Sequence, residues 1–255
     1  MAEVAPILET RDLTIRFGGH TAVDGVSCGF ARGTLTAIVG PNGAGKTTYF
    51  NLISGQLRAS AGAVLLNGEA ITDLAAPARA RRGLGRAFQL TNLFPGLSVV
   101  ENVRLAVQAR AGIGLDFLTR ATRHADLLAR AHDHLARVKL LERAGAPAAS
   151  LSHGDQRKLE VAILLALEPT IFMFDEPTAG MSVDEVSVIL DLIEAIRKEG
   201  DKTILLVEHK MDVVRRLADR VIVLHNGALV ADGAPAEVVA SPIVQEAYLG
   251  IRAAS

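Results

Sequence analysis

At 255 residues, with 49% apolar and 22% charged residues and a formal net charge of -1, the chain has the make-up of a globular protein with room for a substantial core. Its 27 basic residues are scattered rather than blocked, which leaves no electrostatic footprint for sequence-independent nucleic-acid binding. Cys28 is the only cysteine, so an internal disulfide and a cysteine metal cluster are excluded, and a reducing compartment fits best. The opening MAEVAPILETRD has no basic start followed by an apolar core, so no secretory signal is read. The apolar stretches at 161–167 and 170–174 fall far short of the roughly 20 residues that cross a bilayer. A cytoplasmic chain that meets a membrane only through a partner is expected.

In chain order, residues 7–17 and 62–67 suggest short strands separated by turn residues, enough for a small N-terminal antiparallel sheet. The unbroken apolar runs LTAIV (35–39), TIFMF (170–174), TILLV (203–207) and RVIVL (220–224) read as strands buried on both faces. Helical patterns at 46–53, 183–197 and 211–217 follow three of them, which gives βαβ units and a mainly parallel sheet. Between about 98 and 167 the pattern is wholly helical and rich in Ala, Leu and Arg. The expected organisation is one nucleotide-binding α/β domain: 1–97 and 168–240 form the core with its β subdomain, 98–167 an inserted helical subdomain, and 241–255 a tail. Two short helical patterns at 235–249 are broken by Ser241-Pro242.

Gly40-Pro41-Asn42-Gly43-Ala44-Gly45-Lys46-Thr47 matches G-x-x-x-x-G-K-[ST] and lies between a buried strand and a helix, the context this motif requires. Glycines let backbone amides turn inward around phosphates, and the helix N-terminus adds positive potential. Lys46 reaches the outer phosphates, the Thr47 hydroxyl can ligate Mg2+, and Thr48 adds a further donor. Asp175 and Glu176 follow the strand at 170–174, at the sheet end where α/β proteins place ligands. Alone, such a pair reads as a solvated turn. With a phosphate loop upstream, Asp175 is expected to hold Mg2+ and Glu176 to polarise a water for in-line attack on the γ-phosphate of ATP.

The phosphate loop alone leaves kinases, GTPases, helicases and transporters open. Leu151-Ser152-His153-Gly154-Asp155-Gln156 precedes a helical pattern, and here the chain resembles the ABC ATPase family, whose signature is Leu-Ser-Gly-Gly-Gln. The resemblance extends over nearly the whole chain and implies a P-loop, RecA-like core that works as a dimer. In such a dimer, Ser152 and Gly154 close over the γ-phosphate held by the other subunit. Without the surrounding constellation, Ser152 reads as an ordinary helix N-cap. His153 and Asp155 depart from the signature, and a carboxylate at 155, although favoured by the helix dipole, sits uneasily beside a γ-phosphate. Gln89 resembles the glutamine that contacts Mg2+ or the attacking water, and His209 the histidine that senses the γ-phosphate. Phe17 stands where the family stacks an aromatic ring on adenine, although a core phenylalanine fits the pattern as well. Ala179-Gly180-Met181-Ser182 replaces the usual Ser-Ala-Leu-Asp, which puts communication between the two ATP sites in question.

Within that family the chain looks most like the ATPases of branched-chain amino-acid importers and their relatives for short amides and urea. The features are Arg16-Phe17-Gly18-Gly19, the run from Leu151 to Glu160, Glu176-Pro177-Thr178-Ala179-Gly180-Met181, and Ala247-Tyr248-Leu249-Gly250. The resemblance implies a subunit at the cytoplasmic face of the inner membrane. It pairs there with a second ATPase, identical or paralogous, and with two transmembrane permeases served by an external substrate-binding protein. Lipopolysaccharide-export ATPases share much of the pattern, so export stays open. A non-transport ABC ATPase and a purely regulatory nucleotide-binding module are the other readings.

Overall fold

The computed structural model describes residues 5–87, 93–113, 121–241 and 244, the side chains of 121–124 excepted. The elements up to the middle of the chain are β1 (Leu8–Phe17), β2 (His20–Phe30), β3 (Leu35–Val39), α1 (Lys46–Ser54), β4 (Ala61–Leu66), β5 (Glu69–Ala70), α2 (Ala76–Arg81), β6 (Leu84–Arg86), α3 (Val99–Arg110) and α4 (Ala121–Arg137). They are followed by α5 (His153–Ala166), β7 (Ile171–Asp175), α6 (Val183–Lys198), β8 (Thr203–Val207), α7 (Met211–Leu217), β9 (Arg220–His225), β10 (Ala228–Gly233) and α8 (Pro235–Ala240). The chain separates into two compact units. One holds the described residues up to Leu84, Thr170–Glu176 and those from Arg197 onward; the other holds Gly85–Pro169 and Pro177–Ile196.

The first unit is built on strands in the order β10-β9-β3-β8-β7 of one sheet and on a four-stranded sheet of order β2-β1-β4-β5. β3 runs parallel to both β8 and β9, and β7 parallel to β8. The β3, β7 and β8 strands are buried along their whole length, as continuous apolar runs demand. Alternate residues serve opposite faces. Ile38, Met173, Leu205 and Ile222 pack with Tyr49, Phe50 and Ile53 of α1 and with Leu8, Leu13 and Phe30 of the smaller sheet. Ala37, Val39, Val221 and Val223 pack with Val214 of α7 and Val238 of α8.

Four strands escape the sequence expectations, the short β5 and β6 and the longer β2 and β10. β2, at 11 residues the longest, pairs antiparallel with β1, but His20, Thr21, Asp24 and Ser27 interrupt its apolar pattern, and only one face is buried. β10 adds an antiparallel edge to β9 and is half-exposed throughout. Both lie outside the reach of a search for apolar runs.

A buried arginine ties the end of α1 to the chain that follows. Arg79 is 1% exposed. It donates to the carbonyls of Leu52 and Ile53 in the last turn of α1, both at 2.7 Å, and to those of Thr72 at 2.6 Å and Leu74 at 2.9 Å. It therefore serves helix-end acceptors beyond the reach of the regular ladder, of which Leu52 O also accepts from Gly55 N–H at 3.3 Å. Each buried acceptor left unsatisfied costs about 1–3 kcal/mol. Arg79→Met is therefore expected to lower unfolding stability by roughly 3 kcal/mol or more, read as the shift of a denaturant midpoint at constant slope; a shift within error would show that water replaces the guanidinium at no cost.

In the second unit α3, α4 and α5 pack on one another, and their Val103, Val107, Ala131, Leu135, Leu159 and Ala162 are buried. Ser98 caps α3 by accepting from Glu101 N–H, and Ser152 caps α5 by accepting from Asp155 N–H. Among the described residues no helix is long and apolar enough to cross a membrane.

Candidate functional site

The phosphate loop is shaped by backbone contacts before any ligand is considered. α1 opens at Gly45, in the left-handed region at φ 96°, with no side chain capping it. The amides of its first turn are therefore available to an anion. A Cβ on Gly45 would stand 2.4 Å from Ala22 O, and one on Gly40 2.1 Å from Leu224 O, so the β2 and β9 backbones close on the loop and admit only glycine there. Lys46, 6% exposed, points back into the loop and donates to Gly40 O at 2.7 Å and Pro41 O at 2.9 Å. Burial draws its pKa down from the ordinary lysine value, while the nearby Glu176 and Asp175 carboxylates act in the opposite sense.

A cavity of about 390 Å³ opens over this loop, lined by Asn42 to Thr48 together with Phe17, His20, Ala22 and Glu176. The Phe17 ring is 50% exposed and is a wall of this cavity, which decides against a core role for it. His20 and Ala22 line it as well, although no sequence signal marks them: they belong to the return strand of the hairpin that Gly18 and Gly19 turn.

Asp175 closes β7 and is 2% exposed. Glu176 follows with φ at 50°, a left-handed conformation costly for a residue with a side chain. Its N–H donates to Val207 O at 3.0 Å, which fixes the turn to the end of β8. His209 Nε2 lies 2.6 Å from Glu176 Oε1. The histidine is held in turn by Glu208, whose Oε2 accepts from the N–H groups of His209 at 2.8 Å and Lys210 at 3.2 Å. Thus the loop, the two acids and the histidine, distant in sequence, meet at the carboxyl ends of parallel strands.

Ser152 and Gly154 lie in the second unit at the head of α5, Ser152 exposed and Gly154 buried. Ser152 Oγ accepts from Asp155 N–H at 3.1 Å. The Asp155 carboxylate does not project alone, because Lys158 Nζ lies 2.9 Å from its Oδ1. Gln89 lies outside the described residues, as does the stretch Ala247-Tyr248-Leu249-Gly250.

A parallel-sheet core with a glycine loop at a helix start after β3 and an acid pair at the end of β7, two strands away, defines a P-loop nucleotide-binding protein. The family described as "ABC transporter" matches residues 23–179, and "Branched-chain amino acid ATP-binding cassette transporter" matches residues 228–254. The chain belongs to the ABC transporter ATPase family, as an ATP-binding subunit. It is 39% identical over 251 residues to the high-affinity branched-chain amino acid transport ATP-binding protein BraF of Pseudomonas aeruginosa, spanning 96% of this chain and 98% of that protein. It is 38% identical over 250 residues to LivG of Escherichia coli K12, with the same coverage. The ADP conformation of MJ1267, an ATP-binding cassette of an ABC transporter, superposes with a TM-score of 0.80 at 28% identity over 96% of this chain and 99% of that one. The dimeric post-hydrolysis cassette MJ0796, bound to ADP and Pi, gives 0.78 at 25% identity over 89% and 98%.

Proposed function

We infer that this chain is the ATP-hydrolysing subunit that energises import of branched-chain amino acids or related small amides. The observation that carries hydrolysis is the placement of Glu176 in the wall of the phosphate-loop cavity with His209 Nε2 against its carboxylate. The import reading is supported by the match at 228–254 and by the names of the two relatives above.

In this reading the Lys46 ammonium and the first-turn amides of α1 bind the β- and γ-phosphates of ATP, and Phe17 stacks on adenine from the cavity rim. Thr47 and Asp175 supply a hydroxyl and a carboxylate, hard oxygen donors suited to Mg2+. Such an ion would be held by these two protein oxygens together with the substrate's phosphates. That ion would neutralise charge on the phosphates. Glu176 takes the proton of the attacking water, and His209 fixes the orientation of the Glu176 carboxylate. Ser152 and Gly154 complete the site of a second ATPase subunit, and Gln89 takes the role its resemblance implies.

The subunit sits at the cytoplasmic face of the inner membrane, bound to two permeases that receive substrate from an external binding protein. Affinity purification of the tagged chain from detergent-solubilised membranes, with the co-purifying proteins identified by mass spectrometry, tests this reading. Recovery of two multi-span permeases and a related ATPase is expected, and stimulation of ATP turnover by an amino-acid-loaded binding protein would fix the direction. Recovery of soluble partners alone would overturn the transport assignment.

A further inference from the structure

One carboxylate joins the first turns of α5 and α6. Glu185 Oε2 accepts from both the N–H and the Oγ of Ser182, each at 2.9 Å, the carboxylate half of a Ser-x-x-Glu capping box. These two bonds hold its carboxyl below the usual carboxylate range. A capping box requires nothing more, yet the same carboxylate lies on the signature segment. A Cβ on Gly154 would stand 2.0 Å from Glu185 Oε1 and 2.6 Å from Oε2. The buried ammonium of Lys158 lies 4.0 Å from Glu185 Oε1 and 2.9 Å from Asp155 Oδ1, so a single cation balances both carboxylates at the head of α5.

We propose that Glu185 is a positioning residue that locks the segment following the acid pair, residues 177–182, onto the signature glycine Gly154, with Lys158 as counter-ion. The absence of a side chain at 154 is what lets the carboxylate reach the helix head. Two of the departures from the family pattern, Asp155 and Ser182, are partners in the lock: Asp155 shares the Lys158 ammonium, and the Ser182 hydroxyl holds Oε2. The segment beyond Asp175 and Glu176 and the turn that presents Ser152 are thereby one mechanical piece. A change in either is transmitted to the other through a carboxylate with two hydrogen bonds on one side and a glycine contact on the other.

The proposal rests on the reading of Ser152 and Gly154 as the signature that completes a nucleotide site, and its test separates the two. Turnover of MgATP by the transporter complex is compared for Glu185→Ala, Gly154→Ala, the double variant, Glu185→Gln and Ser152→Ala, together with the ADP affinity of the Glu185 variants. A methyl at 154 must push the Glu185 carboxylate off Ser182, which is the lesion that Glu185→Ala also makes. Each single change is expected to lower kcat about tenfold and the double to lower it no further, a non-additivity that marks direct coupling. Glu185→Gln, which keeps the shape and one acceptor, is expected to retain a third or more of the turnover. ADP affinity of the Glu185 variants, which reads the phosphate loop, should stay within twofold of the parent. The lock is overturned if the double variant falls about a hundredfold, if Glu185→Ala turns over at the parental rate, or if its ADP affinity falls in step with kcat, as general destabilisation would cause. Parental turnover by Ser152→Ala would instead remove the signature reading, leaving the coupling of 154 and 185 to be judged on its own pair.

Discussion

Glu176→Gln is expected to lower ATP turnover by about two to four orders of magnitude, the range a positioned general base contributes, while nucleotide affinity changes by no more than a few-fold. The substitution isolates charge from geometry. Glutamine occupies the same volume and tolerates the left-handed backbone no worse than glutamate, so the turn at φ 50° and the N–H bond to Val207 O persist. Its amide oxygen still meets His209 Nε2, now 2.6 Å from the carboxylate. What disappears is a group able to accept the proton of the attacking water. Single-turnover hydrolysis and equilibrium binding on the same preparation separate the two quantities. A variant that hydrolyses ATP at the parental rate would show that another group, or the substrate's own phosphate, takes the proton. A His209→Ala chain should then fall between the two, because the base remains while its orientation is lost.

Contiguity decides how much of this site can be read from the sequence. The phosphate loop is one uninterrupted segment whose flanking strand and helix are strongly patterned, and it stands as LTAIV and the glycine run imply, with β3 at Leu35–Val39 and α1 from Lys46. The acid pair is legible for the same reason, since it ends an apolar run. The Glu176–His209 contact is not, because it depends on β7 and β8 being neighbours in register, with Asp175 opposite Val207, and a strand's apolar pattern does not say which strand lies beside it. His20 and Ala22 enter the cavity only because the β1–β2 hairpin returns over the loop. β2 itself, half-buried and interrupted by polar residues, has no run to announce it. The spacing of Ser182 and Glu185 is visible as a capping box, whereas the carboxylate's second neighbour, Gly154, belongs to a helix from a different part of the chain.

Replacement of Lys46 by alanine is expected to reduce ATP and ADP affinity by about a hundredfold or more, since hydrogen bonds from a charged donor are worth about 1.5–3 kcal/mol and this ammonium is buried, 6% exposed. Lys46→Arg should fare little better. A planar fork cannot place a point charge between Gly40 O and Pro41 O, where Nζ now sits at 2.7 and 2.9 Å. The same burial makes a second expectation, with its sign fixed by linkage. A lysine whose folded pKa lies below its unfolded value costs stability at every pH below that lowered pKa, and the cost fades as pH rises through it. Burial is the main cause of the lowering here. Removing the charge therefore takes away a destabilising contribution at neutral pH, and the nucleotide-free Lys46→Ala chain should unfold at a temperature equal to or above that of the parent. The rise in unfolding temperature on adding nucleotide, which follows occupancy, should vanish. Thermal scans with and without ADP read both effects at once. Undiminished stabilisation by ADP would remove Lys46 from the phosphate site, whereas a marked loss of stability without ADP would mean that its bonds to the loop carbonyls outweigh the cost of burying its charge.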